Sequence, residues 1–383
     1  MVIFDNELLC TDMFCSKSPD CTELNVRLSR KEDITPRYSI VVTDKQQIKD
    51  KINSFAAIIV PKGRDCDWLF GVQRGRINLV ENSGFDRLAI VYLQRDHEYS
   101  SIEDVKVEIY STIKKLTPEL LKTNLKSKKK ITFLSMSDDL GQCKQIASGE
   151  SKFSGKYFIE EIKRNNKDLF RRLIFTATPN SIQSECKLVK VKIQRKVRNI
   201  VDYSYLASEH HTYMALAAAM VSKIENAFKV LIIGLGGGAL TMFLHIFFKQ
   251  ANITSLEIDS EILQIAKKYF GFKENKQLNV IISDGIDYLH TAAARGEQYH
   301  AIFFDVDSKD LSLGVSCPPL NFLQPSLLED VSKCLHSAGV FVLNLACQDK
   351  EIRFETVGKT KKIFQHITSF KTEYDLNELF FLL

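Results

Sequence analysis

One tryptophan and eight prolines are all that 383 residues contain of those two types. So little proline argues against a proline-rich or low-complexity protein. No uninterrupted apolar stretch is long enough to span a bilayer, so no membrane partner is expected. The first residues show no basic segment followed by an apolar core, so no signal peptide is expected. Cysteine occurs nine times, an odd number, and is scattered. Cys10, Cys15 and Cys21 have no histidines at ligand spacing, so neither a disulfide framework nor a zinc motif is expected. The expectation is a reduced, cytoplasmic protein. Charge of one sign is also scarce: a net charge of +5 is mild for this length and does not by itself imply nucleic acid. Basic residues do gather at 122–130 and 187–198. The first cluster reads as a solvated loop. The second alternates Val189, Val191 and Ile193 with Lys190, Lys192 and Gln194, the pattern of a strand with one wet face. A nucleic-acid partner is therefore the weaker reading.

What is present is an ordinary globular balance, 45% hydrophobic and 26% charged, at a length that suits two domains. Residues 1–35 are polar and weakly periodic and read as an irregular arm. Residues 36–150 read as an α+β accessory domain. Its strands are expected at 38–43, 55–60, 68–70 and 88–93, with helices at 72–82 and 102–116. The second helix is the clearest, with Ile102, Val105, Ile109, Ile113 and Leu116 on one face. Residues 151–200 read as a small antiparallel β unit, turning at Pro179-Asn180-Ser181. Ser208 is expected to cap a helix reaching about residue 224. Neighbours on a helix point about a quarter-turn apart, so Glu209, His210 and His211 should not share a metal ion, and none is expected.

The chemistry concentrates in residues 201–383. The run Val230-Leu231-Ile232-Ile233 ends in Gly234-Leu235-Gly236-Gly237-Gly238, and an amphipathic segment follows. That order reads as buried strand, tight turn and helix. Gly234, Gly236 and Ala239 also satisfy the dinucleotide fingerprint, so the turn alone leaves the ligand open. Acids at the ends of later strands narrow the choice. Glu257 ends the second strand, where its oxygens can accept both hydroxyls of a ribose. Ser260 is expected to cap the helix behind it. Asp284-Gly285 follows the third strand, and Asp305-Val306-Asp307 the fourth. A nicotinamide cofactor would explain the glycines and Glu257 but not the other acids. A sulfonium donor with an adenosine half explains all of them.

These residues resemble the seven-strand S-adenosylmethionine-dependent methyltransferases, in their spermidine-synthase-like branch. The resemblance implies an α/β fold, a Rossmann-like class I methyltransferase domain preceded by a small antiparallel β unit. Longer runs are similar to the family that methylates a lysine and the N-terminus of elongation factor 1-alpha. They are Trp68-Leu69-Phe70-Gly71, Phe170 to Phe175 with Gln183-Ser184-Glu185, Glu209-His210-His211, Phe304 to Asp310, and Gly314 to Pro319. The similarity covers residues 36–383 and corresponds to the middle and C-terminal half of that family. It implies S-adenosyl-L-methionine as donor and the N-terminal glycine α-amine of elongation factor 1-alpha as acceptor. Gly234, Gly236, Gly238, Glu257, Ile258, Asp284, Gly285 and Asp305 are then the expected donor-binding residues. Tyr205 and Glu209 are expected on the donor's other side. Asp305, with Asp307 as a second acceptor, would orient or deprotonate the amine. Asn344 faces the substrate channel or merely ends a strand. An aminopropyltransferase or a catalytically silent binding module stays as the alternative, and a homodimer stays open.

Overall fold

The structure is a computed structural model. It describes residues 9–15, 23–46, 52–118, 131–134, 140–141, 143–164, 168–193, 195–308, 314–372 and 377–383. The chain divides into two compact units, 1–143 and 144–383. The basic loop expected at 122–130 lies outside the described residues.

The first unit is a mixed sheet. Its strands are β1 (Leu9–Cys15), β2 (Glu23–Ser29), β3 (Tyr38–Asp44), β4 (Phe55–Ile59), β5 (Arg87–Leu93) and β6 (Thr132–Leu134), in the order β1-β2-β3-β5-β4-β6. The strands β1 and β2 correct the expected irregular arm. Val26 and Leu28 of β2 are buried, but Glu23 is buried with them beside Arg76, which blurs the alternation in the sequence. Residues 68–70 are not a strand. They open the short helix α1 (Trp68–Gly71), whose first turn closes on the Asp67 carbonyl. Three apolar residues carry no period that separates strand from helix. Helix α2 (Gln73–Asn82) and helix α3 (Ile102–Leu116) follow. Ser101 caps α3 by accepting from the Asp104 amide, and Ile102, Val105, Ile109 and Ile113 are buried as their spacing requires.

The second unit begins with a five-stranded antiparallel sheet: β7 (Cys143–Ser151), β8 (Gly155–Arg164), β9 (Asp168–Phe175), β10 (Ser184–Ile193) and β11 (Lys196–Val201). It is larger than the unit expected at 151–200. Helix α4 (Glu209–Ile224) leads into the main sheet. Parallel strands β12 (Phe228–Ile233), β13 (Ala251–Glu257), β14 (Leu278–Ile282), β15 (Tyr299–Phe304) and β17 (Leu335–Cys347) are joined by antiparallel β19 (Asn377–Leu382) and β18 (Ile367–Lys371). The order is β14-β13-β12-β15-β17-β19-β18, and β16 (Val315–Cys317) attaches beside β17. Helices α5 (Ala239–Phe247), α6 (Ser260–Tyr269), α7 (Gly285–Ala294), α8 (Pro325–Cys334) and α9 (Lys350–Ile363) make the crossovers. This is the expected Rossmann-like methyltransferase architecture.

The apolar run of β12 shows why the sheet forms. Val230 and Ile232 pack into the core on one face, Leu231 and Ile233 into the core on the other. A strand buried on both faces has to be apolar throughout, and each such side chain contributes about 1.5–3 kcal/mol by leaving water. Capping departs from the sequence reading in two places. Ser208 precedes α4 without a side-chain cap bond, and Asp259, not Ser260, caps α6 by accepting from the Glu261 amide. Among the described residues no helix is long and apolar enough to cross a membrane.

Candidate active site

Because β12, β13, β14 and β15 run parallel, their carboxyl ends fall on one edge. The glycine turn lies there. Gly234 has φ +99, and a Cβ on it would stand 2.1 Å from the Asp305 carbonyl oxygen. Its amide donates to the Leu256 carbonyl, and the Asp305 amide donates to the Ile233 carbonyl, both at 2.9 Å. Only glycine lets β12, β13 and β15 draw this close. Gly238, at φ +77, sits where a Cβ would strike the Phe272 ring at 2.6 Å, and it starts α5. The helix start is less open than the sequence suggests, since the Gly237 amide already donates to Ser184 Oγ at 2.7 Å. A phosphate therefore meets competition at this turn, which favours a ligand held by carboxylates.

Three acids stand along the same edge. Glu257 accepts from the Leu235 amide at 3.2 Å through Oε2 and from the Asp259 amide at 3.0 Å through Oε1. The glycine turn and the strand-end acid therefore fix each other. Beside it Ile258 is 44% exposed and Ile282, one strand over, is 45% exposed, so apolar side chains border the carboxylates. Asp284 caps α7 through Oδ1, which accepts from the Ile286 amide at 2.7 Å. Gly285 allows the helix to close on β12, since a Cβ there would meet Ile233 at 2.6 Å. Asp305 is half-buried at the end of β15, and Asp307 is exposed two residues on.

The sequence reading missed what surrounds Asp305. His210 and His211, expected to point apart, converge on it from the first turn of α4. His211 Nε2 lies 2.8 Å from Oδ2, and His210 Nε2 lies 3.3 Å from Oδ1. Their ligand atoms lie within 4.8 Å of one another, but each imidazole takes a different carboxylate oxygen, as hydrogen-bonded pairs do. Burial alone would push the Asp305 carboxyl up. The imidazoles of His211 and His210 outweigh it and hold the group well below the usual carboxylate range. The Cys317 thiol is pushed well up by burial and by Asp307 and Asp305, so it stays neutral.

Tyr205 borders a cleft shared with Gly237, Gly238 and Phe270. Its hydroxyl donates to Glu185 Oε1 at 2.8 Å, and its pKa is raised to about 12 by burial and by that carboxylate. Glu185 is also bound by Arg172 Nε at 2.7 Å and by Arg164. Glu209 opens α4, half-buried. Asn344 is buried and accepts from Asn377 Nδ2 at 2.8 Å, so it ties β17 to the start of β19.

The spermine/spermidine synthase domain family matches residues 209–375, the segment that holds Asp305 and its histidines. The eEF1A lysine and N-terminal methyltransferase homolog of Drosophila melanogaster is 38% identical over 380 residues, covering 98% of this chain and 55% of the relative. Over nearly all of its own length this chain is similar to the eEF1A lysine and N-terminal methyltransferases. The Homo sapiens enzyme of that name is 35% identical over 376 residues, covering 90% of this chain and 53% of its own length. The chain thus spans about half the length of the curated methyltransferases it matches. Among solved structures, human methyltransferase-like protein 13 in complex with SAH is 35% identical, with a TM-score of 0.44, covering 46% of this chain and 82% of that one.

Proposed function

We propose that this chain is a protein methyltransferase that uses S-adenosyl-L-methionine to methylate the N-terminal α-amine of elongation factor 1-alpha. The observation that carries the reading is the trio Glu257, Asp284 and Asp305 on one sheet edge around the Gly234 turn. It fits a donor with an adenosine half and a cationic centre. Glu257 would accept from the ribose hydroxyls, between the exposed side chains of Ile258 and the turn. Asp284 uses Oδ1 for its cap, so Oδ2 is the atom that would accept from an adenine amino group. Tyr205 and Glu209 would close the other side. When bound, S-adenosylmethionine supplies an electrophilic methyl group on a sulfonium.

The chain's remaining task is alignment of the attacking nitrogen. An α-amine has a pKa of roughly 7.7–8.0, so a useful neutral fraction exists near pH 7, whereas lysine near 10.4 would need an enzyme base. Asp305, held ionised, is a weak base but a good acceptor for an amine N–H. That combination suits an N-terminus. Asp307, exposed beside it, would serve as a second acceptor for the incoming peptide. A cytoplasmic location would follow from such a substrate. The aminopropyltransferase reading draws on the matching domain family. Gly237, Gly238 and Ala239 place no carboxylate inside the glycine turn to receive a polyamine cation.

Mass spectrometry of elongation factor 1-alpha after incubation with this protein and S-adenosylmethionine tests the proposal. Mass added in methyl steps on the N-terminal peptide supports it. Donor binding by calorimetry without transfer would point to another amine or a silent module, and no donor binding would overturn the cofactor.

A further inference from the structure

We propose that His211, with His210 beside it, is a positioning residue for methyl transfer: the two imidazoles occupy both oxygens of Asp305 and hold that carboxylate as an anion aimed at the incoming amine. The inference rests on the methyltransferase reading and adds to it residues that do not follow from the strand-end pattern.

The geometry is specific. Two consecutive residues of one helix reach two different oxygens of one carboxylate, at 2.8 and 3.3 Å. The rings pack edge to face, 4.4 Å between centroids at 71°, so each limits the other's rotation. Nδ1 of His211 is buried and has no hydrogen-bond partner among the described residues. A proton there would be a buried donor left unsatisfied, whereas a bare lone pair costs less. This leaves Nε2–H as the donor, from His211 to Asp305 Oδ2. A carboxylate offers about four lone-pair sites, so after two imidazole bonds it can still accept from an amine.

The chemistry explains why the clamp matters. The amine lone pair forms the N–C bond as the C–S bond breaks, and the bonding pair stays on sulfur as a neutral thioether. Positive charge moves from sulfur to nitrogen, and the methylated nitrogen later loses its proton to solvent. A carboxylate fixed as an anion beside that nitrogen stabilises the charge as it develops, which a protonated or misdirected one cannot do. Among the described residues, His210 and His211 from α4 meet Asp305 directly, and Asp305 and Asp307 both act on the neutral Cys317 thiol of β16.

The test compares His211→Gln, which keeps a donor near the Nε2 position, with His211→Phe, which keeps the ring alone, both in the full chain. Donor affinity is read by calorimetry and transfer to an N-terminal glycine peptide of elongation factor 1-alpha by mass spectrometry. In His211→Phe, kcat should fall roughly 10- to 100-fold with donor Kd unchanged. His211→Gln should recover to within about 5-fold of the parent, because one hydrogen bond is restored. A Gln variant as slow as the Phe variant, or a loss that appears equally in donor Kd, would overturn the positioning role. Nitrogen NMR of the imidazoles reads the clamp without any turnover. His211 should be the Nε2–H tautomer in the parent and lose that preference in Asp305→Ala, and an Nδ1–H tautomer in the parent would sink the idea. If the parent transfers no methyl group, the functional reading fails, and the tautomer alone decides whether the clamp exists.

Discussion

The acids of the first unit and the strand-end acids of the second are held in opposite ways. In the first, carboxylates meet guanidinium groups. Glu23 takes Arg76 Nε and Nη2 at 2.8 and 2.7 Å, Asp44 takes Arg87 at 2.6 and 2.8 Å, and Glu108 takes Arg30 at 2.7 Å. In the second, the strand-end acids are held by backbone amides and imidazoles: Glu257 by Leu235 and Asp259, Asp284 by Ile286, and Asp305 by His210 and His211. A bidentate arginine cancels a carboxylate's charge and completes its hydrogen bonding. A backbone amide is neutral, so it orients the group and leaves its charge to meet a cationic ligand. An acid's partner, more than its burial, separates a structural carboxylate from one available for chemistry.

The sharpest way to break this comparison is at Asp305. Asp305→Ala should lower kcat for methyl transfer by about 100- to 1,000-fold, the range for losing one group aimed at developing charge. Donor affinity should stay within several-fold, because Glu257 and the glycine turn are untouched. Unchanged turnover at saturating donor would remove Asp305 from the reaction.

Arg76 gives the opposite outcome. Arg76→Met takes the guanidinium away from buried Glu23, to which Thr43 Oγ1 also donates at 3.1 Å. Breaking a buried pair in this way costs about 3 kcal/mol. The sole tryptophan, Trp68, lies in the first unit, so its fluorescence in a urea titration reports that unit's stability directly. The midpoint should fall while transfer per folded molecule stays at the parent level. A turnover loss with unchanged stability would mean that an arginine-paired acid also serves the chemistry.

Much of this was legible in the sequence. The β12 run, the glycine turn and the three strand-end acids appear where the pattern placed them, because parallel strands buried on both faces must be apolar and must end at one edge. Helix α3 was legible from its period, since Ile102, Val105, Ile109 and Ile113 fall on one buried face. What stayed hidden depends on side chains meeting across the fold. The histidine clamp on Asp305 joins residues 94 apart, and nothing in the local spacing of His210-His211 tells convergence from divergence. Ser184 on the Gly237 amide is the same kind of contact, from a different sheet. The short elements failed through lack of period: residues 68–70 are helical, and β2 was obscured by the ion-paired Glu23.

Glu378 makes the comparison finer, because it lies in the second unit yet is paired like the acids of the first. Arg353 Nε and Nη2 each donate to it at 2.6 Å. That hydrogen bond is the main cause lowering its pKa, and burial opposes it. A carboxylate depressed in the fold adds stability that is present above its unfolded pKa, near 4.3, and is lost as pH falls through the folded value. Arg353 is 46% exposed at its side chain, so solvent screens the pair and its worth is about 1 kcal/mol at neutral pH. Arg353→Met should therefore lower stability by about that much at pH 7. The gap from the parent should close as the pH drops below 4.3, read from urea midpoints across the acid range. Methyl transfer should be unaffected. If the gap persisted in acid, packing of the arginine stem would be the cause, since contact along an alkyl chain does not depend on the protonation of Glu378.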